Sequence, residues 1–149
     1  MLTFDESLTR EAADPSIAGL STGLYALSVV REQDAYVQAV VAAAIAGGRI
    51  DAPSIDQARN ATLRRTIAVD EFRSAVGTDN AALADGVVGP DVDQRDRLAQ
   101  VVLGRGSAGL PLQVSAQDWD AASDAVQQRV GDVSQQLRTR LQSLSLIHI

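Results

Sequence analysis

Apolar residues recur along this chain at helical spacing. From Pro15 to Ala46, alternating steps of three and four residues give Ile17, Leu20, Leu24, Leu27, Arg31, Asp34, Gln38, Val41 and Ile45. Six of these nine are aliphatic, so the stripe predicts one long helix with a face on a core. Its middle positions hold a cation, an anion and an amide. Buried polar groups are costly unless paired, so this layer marks either a structural network or a ligand site. Asp14-Pro15 predicts the helix start, an N-cap side chain before a first-turn proline, and Gly47-Gly48 predicts its end. Residues 1–13 read as a connector or the end of a preceding helix.

Asp51-Ala52-Pro53-Ser54 opens a second long helix that ends near Val76-Gly77. Its inward stripe is Ile55, Ala58, Thr62, Arg65, Val69, Phe72 and Val76, again with a cation in the middle. Thr78 to Asp85 reads as a short helix closed by Gly86 and Gly89-Pro90. Asp91 to Leu103 reads as another, with Val92, Leu98, Val101 and Val102 for apolar contacts. Gly104 to Val114 holds three glycines and a proline and is predicted to be a loop. Ser115 then caps the last helix, with Val114 placed to staple onto Trp119. Trp119, Val126 and Val133 form one seven-residue row and Val130 with Leu137 the other, the pattern of a short coiled-coil seam. No strand pattern or repeat competes. The fold class expected is all-α, an antiparallel helical bundle in one domain.

Composition narrows the function. The net charge is −6, which argues against a nucleic-acid groove or an anionic membrane surface as partner. All 13 basic residues are arginine, as a GC-rich genome would encode, so lysine chemistry is excluded. There is no cysteine, hence no disulfide, thiolate nucleophile or cysteine metal site. The longest uncharged run, Ala35 to Gly48, is too short and alanine-rich to span a bilayer. Residues 144–149, Leu-Ser-Leu-Ile-His-Ile, are the translation of CTGTCTCTTATACACATC, the mosaic end of a transposase sequencing adapter. They read as adapter read-through, which confines the domain to residues 14–143 and leaves His148, the only histidine, without a function.

Catalytic and cofactor motifs are not in evidence. Gly104-Arg105-Gly106 lacks the strand and spacing of a phosphate loop, and no cofactor is expected. Asp91, Asp93 and Asp96 stand at a helix start, where they favour the positive end of the helix dipole over metal binding. The mid-helix polar residues remain. Arg31 and Asp34 can pair along their own helix, or Arg65 can pair with an acid on a neighbour. Alternatively Arg31, Gln38 and Arg65 converge on a small anion, since guanidinium forks suit planar oxyanions.

Leu24 to Asp51, reading LYALSVVREQDAYVQAVVAAAIAGGRID, resembles the second half of the nitrate- and nitrite-sensing (NIT) domain. The resemblance rests on the Arg31-Glu32 pair, the small-residue stretch after it and the glycine turn. It extends through Phe72, Gly89-Pro90 and Asp118-Trp119-Asp120, covering most of Asp14 to Gln142, and looks most like actinobacterial sensor histidine kinases. It implies a paired four-helix bundle on the extracytoplasmic face of the membrane, followed by a transmembrane helix, a HAMP linker and a kinase core. It also implies a homodimer, a first half-domain before Met1, and a signal carried by the helix of Trp119, Val126, Val130, Val133 and Leu137. The family position of an anion-meeting arginine falls here on Gln38, which can donate hydrogen bonds to nitrate but brings no charge. Two other readings stand beside this sensor fragment. One is a non-catalytic structural or interaction module whose polar layer fixes register. The other is a small all-helical enzyme of the chorismate mutase kind, against which the missing acid–base set counts.

Overall fold

The computed structural model describes the backbone of residues 4–147 and the side chains of residues 15–146. The described residues are mostly helical and contain no strand. Five helices run in the order α1 (Phe4–Gly47), α2 (Ala52–Val76), α3 (Ala81–Ala84), α4 (Pro90–Ser107) and α5 (Ala116–Ile147). Short 3-10 turns, Thr78–Asn80 and Asp85–Val87, flank α3.

The second helix begins where its sequence says. The Asp51 side chain accepts from the Ser54 amide at 2.8 Å, and hydrogen bonding to the Ser54 hydroxyl, then to its amide, holds the carboxyl below the usual carboxylate value. At α5 the Ser115 hydroxyl takes the Asp118 amide in the same way, at 3.0 Å. Two expected boundaries differ. The first helix does not start at Asp14-Pro15 but runs through it from Phe4. Proline's fixed φ is helical, and within a helix it forfeits only its own amide bond and crowds one carbonyl, so a long helix can carry it at a cost. The expected loop from Gly104 also starts late, because α4 continues to Ser107. Gly106 is there for closeness rather than for a break: a Cβ on it would collide with Cγ2 of Ile50. His148 and Ile149 lie outside the described residues.

Helices α1 and α2 pack antiparallel, with Gly23 against Phe72 and Val76 at one height and Tyr36 bonded to Gln57 at another. Along another face of α1 runs α5, also antiparallel: Trp119 donates to the Gln38 carbonyl at 3.1 Å, and Ile17 and Ser21 share a cleft with Leu141 and Ser145. Helix α4 closes one half of the fourth side and α3 with its turns closes the other. The result is an antiparallel four-helix bundle.

Its core falls into two main clusters. The larger holds Leu27, Val30, Phe72, Val87, Val126, Val130, Val133 and Leu137 among others. The smaller holds Val37, Val41, Val102, Leu112 and Trp119. All five seam residues expected on α5 are buried, each stabilising the fold by about 1.5–3 kcal/mol or more through apolar burial. Val101, expected inside, is exposed; Ala99, Val102 and Leu103 take that face of α4.

Candidate functional site

The two clusters are separated by one polar layer to which all four long helices contribute. Asp34 lies between Val30 of the larger cluster and Val37 of the smaller. Arg65 stands likewise between Ala68 and Ala61, Arg95 between Val92 and Ala99, and Ser123 between Val126 and Trp119. All four are buried. The layer is therefore a feature of the tertiary structure, assembled at one height from α1, α2, α4 and α5.

Asp34 is its centre. Its Oδ1 accepts from Arg65 Nε at 2.6 Å and also from Arg95 Nη1. Arg65 spends a second donor on the Val87 carbonyl at 3.1 Å, tying α2 to the turn before α4. Arg95 spends one on Asp96, whose carboxylate is half exposed, at 3.0 Å. Burial, the largest single influence on Arg95, pulls its pKa down. The charge and hydrogen bond of Asp34, followed by those of Asp96, outweigh it, so the guanidinium ends above its ordinary value. Asp34 Oδ2, Arg95 Nε and Ser123 Oγ have no hydrogen-bond partner. Two buried cations thus share one buried anion, the half-exposed Asp96 carboxylate balances the second charge at the edge, and the layer keeps free polar valence.

The sequence-derived candidates separate in the structure. Arg65 is in the layer and pairs with an acid on a neighbouring helix, as one of the sequence readings anticipated. Arg31 is exposed, and it is not the partner of Asp34. Gln38 is half-buried one turn beyond Asp34, its Oε1 3.5 Å from Gln127 of α5. The reason is a one-residue rotation of the face. The buried stripe of α1 is Leu20, Leu27, Val30, Asp34, Val37, Val41 and Ala44, so Leu24, Arg31, Gln38 and Ile45 flank it. Large aliphatics favoured the flanking choice, whereas valine and alanine fill the tight centre.

Arg95 and Ser123 went unnoticed in the sequence. Both sit on patterns that could have shown them: Val92, Arg95, Ala99 and Val102 form a helical stripe, and Ser123 begins the seven-residue row of Val130 and Leu137. The acids at the start of α4 are partly engaged elsewhere, Asp91 with Arg129 at 3.1 Å and Asp96 with Arg95.

A helical bundle with charged groups on its axis is a common design, and the assignment comes from comparison. The nitrate and nitrite sensing family matches residues 1–142. The chain belongs to the NIT family. The family's role is sensory rather than catalytic, which sets aside the small-enzyme reading. No curated protein and no solved structure matches this NIT chain. The match includes the polar layer and the whole of α1, α2 and α4, together with α5 up to Gln142. No helix among the described residues is long and apolar enough to cross a membrane.

Proposed function

We propose that this chain is the ligand-reading part of a bacterial sensor histidine kinase, of the actinobacterial type. In this reading it stands on the extracytoplasmic face of the membrane and senses a small oxyanion such as nitrate or nitrite. The observation that carries the reading is a buried layer in which two guanidiniums share one carboxylate oxygen while Arg95 Nε and the Ser123 hydroxyl of α5 keep unpartnered donors, in a chain of a nitrate- and nitrite-sensing family. Arg65 and Arg95 are the cations an oxyanion would engage, with Ser123 as a further donor. Gln38 borders the layer, and Arg31 lies in solvent a turn away.

An anion changes the fold only if it binds one arrangement better than another. Competing with Asp34 for the two guanidiniums would loosen its tie to α2 and α4 and alter how α1 seats on α5. Small helix shifts of this kind are a known route of signal transfer, and here α5 would carry the shift toward the kinase.

Thermal unfolding of the chain in nitrate, nitrite and small carboxylates tests this, with chloride controls at equal ionic strength. Nitrate or nitrite should raise the midpoint, with stabilisation near 2.7 kcal/mol at a hundredfold excess over Kd. Arg95→Gln should abolish the rise. If chloride does as well as nitrate, the anion reading fails.

A second reading is favoured by the mutual pairing of Asp34, Arg65 and Arg95: the layer fixes helix register and binds nothing. That module would show no anion-specific shift at any concentration.

A further inference from the structure

Asp34 leaves half of its carboxylate unused. Both guanidiniums meet Oδ1, from Arg65 Nε at 2.6 Å and from Arg95 Nη1, while Oδ2 is buried with no partner. A carboxylate oxygen only accepts, and an unserved one away from water is costly. The other unpartnered atoms of the layer, Arg95 Nε and Ser123 Oγ, can both donate. The free valence of the layer is thus one anionic acceptor and two donors, and that inventory sets what a ligand must bring.

An oxyanion held by the guanidiniums of Arg65 and Arg95 lies beside the Asp34 carboxylate, because both guanidiniums already touch it. Two anionic oxygens in contact repel unless a proton stands between them, as in paired carboxylates that share one. Nitrate and nitrite have no proton to give near neutral pH, so either must push Asp34 off its cations or sit against it. A planar oxyanion that keeps one O–H escapes that cost. We propose that the layer selects such an anion, hydrogencarbonate, whose hydroxyl donates to Asp34 Oδ2 while its charged oxygens accept from Arg95 Nε and Ser123 Oγ. Hydrogencarbonate has the charge and trigonal outline of nitrate and differs from it by the one hydroxyl that Oδ2 can use. The proposal rests on the reading of the layer as an anion site, and deepens it by making Asp34 the residue that discriminates among anions.

Thermal unfolding of the whole chain, buffered at mildly alkaline pH in a sealed cell, compares sodium hydrogencarbonate, nitrate and acetate with chloride at equal ionic strength. Acetate is the sharpest control, since a methyl group stands where hydrogencarbonate has its hydroxyl. Hydrogencarbonate should raise the midpoint at a concentration about tenfold below that needed for nitrate or acetate, the weight of one hydrogen bond to a charged group. Asp34→Asn, whose amide can turn an N–H to the place of Oδ2, should reverse the order and favour nitrate. Ser123→Ala should lose most of the hydrogencarbonate response. Acetate or nitrate matching hydrogencarbonate on the unaltered chain overturns the proposal and leaves the anion reading standing. So does an Asp34→Asn chain that still prefers hydrogencarbonate, or a Ser123→Ala chain that responds in full. If no anion exceeds chloride, the anion reading itself fails and this selectivity with it. The unaltered chain decides the matter alone should Asp34→Asn not fold.

Discussion

A carboxylate buried as deeply as that of Asp34 is tolerable because two guanidinium groups share its Oδ1 oxygen. Removing one member of a buried ion pair leaves an uncompensated charge, which costs about 3–5 kcal/mol. Asp34→Ala orphans Arg65 and leaves Arg95 only the half-exposed Asp96, and so should destabilise more than Arg65→Ala, which still leaves Asp34 with Arg95. Replacing the set together, Asp34→Leu with Arg65→Met and Arg95→Met, should leave stability unchanged or raise it, because the layer then joins the two apolar clusters. Urea unfolding of the four proteins measures this order. A triple variant weaker than either single one would mean that the layer contributes net stability.

Among the helices, glycine marks where neighbours come closest. Gly106 of α4 sits against Ile50, and a methyl group there must displace a branched side chain in the α1–α2 connection. Gly106→Ala should lower stability by about 1–3 kcal/mol, the usual cost of overpacking. Gly131 of α5 has nothing within 4 Å of the position a Cβ would take. There alanine only improves helix propensity, so Gly131→Ala should gain about 0.8–1 kcal/mol. Thermal midpoints of the two variants, moving in opposite directions, would separate close packing from backbone freedom. If both rise, the contact with Ile50 relaxes without strain.

At the scale of the whole molecule, the polar layer divides the core without dividing the fold. Each main cluster draws on α1, α2, α4 and α5, so neither can form while the other is open. Unfolding should therefore be a single cooperative transition. The only tryptophan, Trp119, lies fully buried in the smaller cluster, whereas far-UV dichroism reports all the helices. Their urea midpoints should coincide. A fluorescence change that precedes the loss of helix would show the smaller cluster opening first.

The number and order of the long helices, the cap at Asp51, the α5 seam and the presence of a cation in the middle of α2 could all be read from the sequence. These follow from local rules: side-chain periodicity, turn chemistry and capping act within a few residues of one another. The family was also legible, through Arg31-Glu32 and the turns that follow. The site was only half legible. A stripe of threes and fours fixes a helix face to within one residue, and that one residue decided between Val30 with Val37 in the core and Arg31 with Gln38 beside it. Nor could spacing along one helix bring Arg95 and Ser123 to the height of Asp34. Those residues lie 61 and 89 positions away in the chain, and only the packing of α4 and α5 against α1 joins them into one layer. Burial, and with it the need for every charge to find a partner, is decided by all four helices at once.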